Sequence, residues 1–141
     1  MSGHQEIYGD LIEAAADGNP DAPLIMVVDD NQSIAEAIQL TLADRYNVIF
    51  CSSMDAALEE LNDRVMLVLL DIQMATHDGV ECFRRFRAAQ PKVKIIFNTA
   101  YPGSSEMTRV AEGLDHDGFL YKGDYSSQTL NDTIARVLNG G

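Results

Sequence analysis

No apolar run in the sequence approaches the roughly 20 residues that cross a bilayer. The start, MSGHQEIYGD, has none of the basic, apolar and cleavage regions of a signal peptide, so the cytoplasm is the expected location. Cysteine is scarce: Cys51 and Cys82 form no CxxC and have no histidine pattern nearby, which speaks against zinc. Both read as small core hydrophobes. Basic residues are few, 10 Lys and Arg against 22 Asp and Glu, for a net charge of −12. That balance argues against binding a nucleic-acid backbone and suits a chain that collects a divalent cation or meets basic partners. Neither GxGxxG nor GxxxxGKS/T occurs, so nucleotide binding by those loops is unsupported. What remains is an ordinary globular composition, 46% hydrophobic and 23% charged, in a 141-residue chain that fits one domain.

Residues 1–23 stand apart as an acidic N-terminal extension or linker, with five acids, no Lys or Arg, and the loop-like ending DGNPDAP. Ile7, Leu11 and Ile12 would line one side of a short helix there. From Leu24 to the end at 141, short β-rich runs alternate with helical patterns. The runs are 24–28, 47–51, 65–70, 93–97 and 117–121, several continuously apolar, as strands covered on both faces are. Ile34, Ala37, Ile38, Thr41 and Leu42 form a helical stripe, and four further stripes follow around Leu58, Phe83, Val110 and Ile134. Asn31 or Ser33 would start the first helix. The expected fold is α/β: a five-stranded parallel sheet with helices on both faces, flavodoxin-like (βα)5, in strand order 2-1-3-4-5.

Such folds gather their chemistry at the carboxyl ends of the strands. Asp29 and Asp30 follow the first run, Asp71 the third, Asn98 and Thr99 the fourth, and Lys122 the fifth. Three close carboxylates do not all stay ionised cheaply, and one lysine does not balance them. A divalent cation would, and Mg²⁺ favours an oxygen set of one or two carboxylates plus a phosphate oxygen. A carboxylate beside that ion is a candidate nucleophile towards phosphorus, with the lysine and hydroxyl neutralising the arriving oxygens.

These pieces, in this order and spacing, make residues 24–138 resemble a response-regulator receiver domain of bacterial two-component signalling. The resemblance implies that Asp71 accepts a phosphoryl group from a histidine kinase or histidine phosphotransfer protein. It implies that Asp29, Asp30, Asp71 and the backbone carbonyl of Gln73 hold Mg²⁺. Thr99 would hydrogen-bond the phosphoryl group, Lys122 would pair with it, and Phe119 would turn inward behind Thr99. The face of the fourth helix, fifth strand and fifth helix would then change for a downstream partner or output domain, a dimer through that face being a further expectation. Gln73 and Tyr101 fall where the family sets phosphoryl lifetime, and a bulky Tyr101 predicts a long-lived state. The product is a switch that assists its own phosphoryl transfer rather than an enzyme, with no direct nucleic-acid or membrane binding.

One departure bears on geometry: Gly123 follows Lys122 where the family usually has proline, so a trans bond and an altered loop are expected. Asn98 is also more polar than usual before the hydroxyl. The alternative reading is a receiver-like interaction module that works without phosphorylation. A haloacid-dehalogenase-type phosphatase fits poorly, because Gln73 stands where that chemistry needs a second aspartate as acid and base. Among the remaining residues, His4, His77 and His116 read as surface side chains, Arg84, Arg85 and Arg87 as a solvated helix face, and Asp78–Gly79 as a turn. The chain stops just after the fifth helix, so no output domain is expected within it. The cognate kinase, the stimulus and the downstream partner are not written in it.

Overall fold

Continuously apolar runs bury both sides of a strand, and that demand sets the architecture here. The computed structural model describes residues 21–72, 79–100, 106–123 and 125–140. In chain order the elements are β1 Leu24–Val28, α1 Gln32–Leu42, β2 Asn47–Cys51, α2 Met54–Glu60 and β3 Val65–Leu70. They continue with α3 Gly79–Ala89, β4 Lys94–Thr99, α4 Glu106–Glu112, β5 Gly118–Tyr121 and α5 Ser127–Leu138. All strands pair in parallel, in the order β2-β1-β3-β4-β5, as expected. The switch in strand order lies between β1 and β3, where Val28 stands opposite Leu70.

Helices start where the sequence offers a side-chain oxygen for an otherwise unpaired N–H. Asn31 accepts from the N–H of Ile34, Ser53 from Ala56 and Ser126 from Thr129. The alternation of side chains along each strand then sorts the core into two layers. Val28, Leu70 and Phe97 pack with α2, α3 and Ala111 of α4, while Val27, Leu69, Ile96 and Leu120 pack with α1 and α5. Cys51 and Cys82 are both buried and form no disulfide, as expected of core side chains. No helix among the described residues is long and apolar enough to cross a membrane.

Two polar side chains depart from their expected surface roles. Arg84 and Arg85 are exposed, but Arg87 lies on the buried side of α3 with its guanidinium 5.1 Å from the Phe83 ring centre. It donates to the carbonyls of Val93 (2.6 Å), Asp115 (2.9 Å) and Pro91 (3.3 Å), and meets the Asp117 carboxylate at 3.4 Å. It therefore clips the end of α3 to the starts of β4 and β5. His116 is half-buried rather than on the surface, packed edge-on against Phe97 and Phe119 at 5.7 and 5.5 Å.

The Ala22 and Pro23 carbonyls accept from Asn47, at 3.4 and 3.0 Å, so the sheet already grips the chain at those residues. The helix expected around Ile7, Leu11 and Ile12 lies outside the described residues, as do His4 and His77.

Candidate functional site

Three of the four parallel ladders run one step past their strands and end on a residue singled out by the sequence. The Asp29 N–H donates to the Cys51 carbonyl (3.1 Å), that of Asp71 to Val28 (3.0 Å), and that of Lys122 to Thr99 (2.7 Å). The sheet itself thus fixes these three backbones, which removes the conformational cost of bringing them together later. Of the five buried polar residues among those described, Asp29, Asp71, Asn98 and Thr99 stand at this one edge, and Asn47 at the opposite end of the sheet.

Burying two carboxylates side by side requires a nearby cation. Lys122 supplies it: its Nζ lies 2.6 Å from Asp29 Oδ2 and 3.3 Å from Asp71 Oδ2. Burial works against the ammonium charge, but hydrogen bonding and attraction from Asp29 and Asp71 outweigh it and hold the Lys122 pKa above its ordinary value. The other oxygen of Asp29 accepts from the Asn31 N–H at 2.9 Å. Asp30 is exposed at the mouth.

Carboxylate oxygens of Asp29, Asp30 and Asp71 all lie within 4.8 Å of one another. An all-oxygen, multiply charged set with one exposed member suits a hard divalent cation that keeps part of its water. The donor chemistry therefore fits Mg²⁺, as the sequence leads one to expect. Of the sequence-predicted residues, Asp29, Asp30, Asp71 and Lys122 converge, and Thr99 is fully buried beside them through its backbone bond to Lys122. Gln73 and Tyr101 lie outside the described residues.

Phe119 packs in the layer of Phe97, half-buried among Phe97 (5.6 Å), His116 (5.5 Å) and Tyr121 (5.2 Å). The Tyr121 hydroxyl donates to Glu112 at 2.8 Å, tying α4 to β5. That hydrogen bond to Glu112 also raises the Tyr121 pKa.

Gly79 is a residue that sequence reasoning placed only in a turn. A Cβ there would fall 2.5 Å from Ile72 Cα and 2.7 Å from the Ile72 carbonyl oxygen, and closer still to the Asp71 carbonyl. Only glycine lets α3 begin directly against the backbone of Asp71 and Ile72. The Asp78–Gly79 pair signalled a turn, but nothing local reported the close approach.

A family model described as the response regulator receiver domain matches residues 25–135. The chain belongs to that family. This receiver domain is 41% identical over 117 residues to the transcriptional regulatory protein DltR of Streptococcus agalactiae, covering 80% of this chain and 49% of DltR. It is 38% identical over 79 residues to the transcriptional regulatory protein ZraR of Escherichia coli, covering 55% of this chain and 18% of ZraR. The receiver domain thus spans half or less of the length of these relatives. In fold it is similar to the CheY-like receiver domain protein from Methanospirillum hungatei, with a TM-score of 0.76 at 22% identity, over 84% of this chain and 95% of that one.

Proposed function

We propose that this receiver domain is a phosphorylation-dependent signalling switch whose acceptor is Asp71. The observation that carries the reading is the pairing of Asp71, only 5% exposed, with Lys122 at 3.3 Å inside a three-carboxylate cluster. An Asp71 oxygen attacks phosphorus of a phosphohistidine on a kinase or phosphotransfer protein. The P–O bond forms, the P–N bond breaks, and the imidazole leaves with the electron pair. Asp29, Asp30, Asp71 and the Gln73 carbonyl are the residues that would hold Mg²⁺, which when bound neutralises charge on the transferring oxygens.

Lys122, freed from part of its present pairing, neutralises the phosphoryl group that arrives on Asp71. Thr99 offers its hydroxyl as a hydrogen-bond donor to the same group. Phe119 follows into the space beside Thr99, and α4, β5 and α5 together present the altered face to an output domain or partner. The transcriptional regulators to which the chain is similar make such an output the natural expectation. The domain acts as a phosphoacceptor, and the ligand can bias the switch only by its differential affinity for the active form. Tyr101 and Gln73 tune the phosphoryl lifetime, with bulk at Tyr101 slowing attack by water.

The test is intact mass after incubation with acetyl phosphate, with and without Mg²⁺, beside Asp71→Asn. One added phosphoryl group that requires both Mg²⁺ and Asp71 is the expected result. No adduct, with Mg²⁺ binding shown separately, would transfer the reading to an interaction module that works without phosphorylation.

A further inference from the structure

The lysine that neutralises Asp29 and Asp71 is followed by a residue that holds almost nothing in place. Gly123 has a φ of +87°, and, its chain neighbours aside, no atom of the described residues lies within 4 Å of where its Cβ would be. Neither packing nor side-chain bulk fixes the loop at that point, and a hollow of about 220 Å³, bordered by α1 and α5, lies alongside it. Yet the Lys122 ammonium sits within 2.6 Å of one carboxylate and 3.3 Å of another. Something beyond Gly123 has to hold the loop.

That hold is made by Tyr125. Its ring packs against the layer formed by α1 and α5, and its hydroxyl donates to Asn98 Oδ1 at 3.0 Å. Asn98 is 2% exposed and precedes Thr99. It points into a layer where Ile96, two residues earlier on the same strand, is apolar. A buried amide in such a place needs a partner, and losing that partner costs its full desolvation. The end of β4 therefore grips the loop twice: the Thr99 carbonyl takes the Lys122 N–H, and the Asn98 amide takes the Tyr125 hydroxyl. The grip brackets Gly123 from both sides. Burial keeps the phenol above its ordinary pKa, so it remains a donor throughout the neutral range.

We infer that Tyr125 is a positioning residue for phosphoryl transfer: its bond to the buried Asn98 amide latches the loop that delivers the Lys122 ammonium to the acceptor. This role rests on the proposed function of Asp71. The latch acts on Lys122, which contacts Asp29 and Asp71 and stands where a cation would compete for the same oxygens. Its loss therefore slows transfer without weakening cation binding.

Tyr125→Phe keeps the ring and removes only the donor. The rate of phosphorylation by acetyl phosphate, read by intact mass, is expected to fall about fivefold, with half-saturating Mg²⁺ no higher than in the wild type. Amide hydrogen exchange at residues 122–125 should accelerate in the same variant without any phosphoryl donor present. Asn98→Leu should slow transfer to a similar extent, and the double variant should be no slower than the slower single one, since both break one bond. A Tyr125→Phe protein with wild-type rate and wild-type loop exchange overturns the latch. So do two single effects that multiply in the double variant, or a parallel loss of Mg²⁺ affinity. If the wild-type chain takes no phosphoryl group, the acceptor reading fails instead, and loop exchange alone decides whether the latch exists.

Discussion

Two partly buried cations sit at opposite ends of the sheet, and their partners differ in kind. Arg87, at the amino-terminal end of β4 and β5, spends its donors mostly on backbone carbonyls, with one carboxylate at 3.4 Å. Lys122, at the carboxyl end, bridges two carboxylates and no carbonyl among the described contacts. Backbone carbonyls are held by the chain itself and carry no net charge to attract an ion in exchange. Carboxylates carry that charge on side chains. The first arrangement is a fixture, whereas the second is one that the proposed function would trade for another cation or for a phosphoryl group. The same contrast explains why a planar guanidinium serves one end and a compact ammonium the other.

The largest way to separate the two is to remove each charge while keeping the stem. Arg87→Met strands several carbonyls with no substitute donor and leaves the Phe83 face uncovered, so a loss of about 2–4 kcal/mol in urea unfolding is expected. Added Mg²⁺ should restore none of the lost difference. Recovery of Arg87→Met by Mg²⁺ would show that the two ends are coupled, against the division drawn here.

Lys122→Met should cost less, about 1–2 kcal/mol without Mg²⁺. The site opens to solvent at Asp30, so water relieves the two buried carboxylates. Here Mg²⁺ should restore most of the loss, because an ion that binds only the folded state stabilises it by mass action. The increment from Mg²⁺ should exceed that of the wild type, in which Lys122 competes for Asp29. Equal increments in both proteins would remove the competition from the account.

What the sequence made legible divides along similar lines. Apolar runs ending in Asp29, Asp71 and Lys122 announced both the strands and the edge they share, because strand period and strand ends are local properties. The roles of Arg87, His116 and Asn98 were not legible, since each depends on a partner brought from another element. Arg87 reads as one more charge on a basic helix, and only the fold brings the Asp115 carbonyl, 28 residues away, within 2.9 Å. Asn98 looked merely too polar for its place until the Tyr125 hydroxyl, 27 residues on, arrived beside it. Gly123 was legible as an altered loop: no cis peptide bond occurs among the described residues, and a positive φ takes its place.

A third ionisable group sharpens the contrast by having no counter-charge among the described residues. Cys51 ends β2, and its carbonyl accepts the Asp29 N–H, so it borders the carboxylate cluster. Burial first, and Glu60 second, push its thiol up to about 12 from an ordinary 9.0. Where Lys122 finds carboxylates and stays charged, Cys51 finds none of the opposite sign and stays neutral. Its folded-state pKa is raised, so the stability it contributes is fully present below pH 9 and is lost as pH climbs towards 12. Between pH 8 and pH 10 the loss is about 1 kcal/mol, the smallest effect of the three. It is read as the difference in alkaline slope between the wild type and Cys51→Ala, which cancels the tyrosines and lysines common to both. The folded thiol should also resist alkylation at pH 8 and become reactive only on unfolding. Equal slopes, with ready alkylation of the native protein, would mean that a cation or solvent reaches Cys51, and that the carboxylate edge extends across β2.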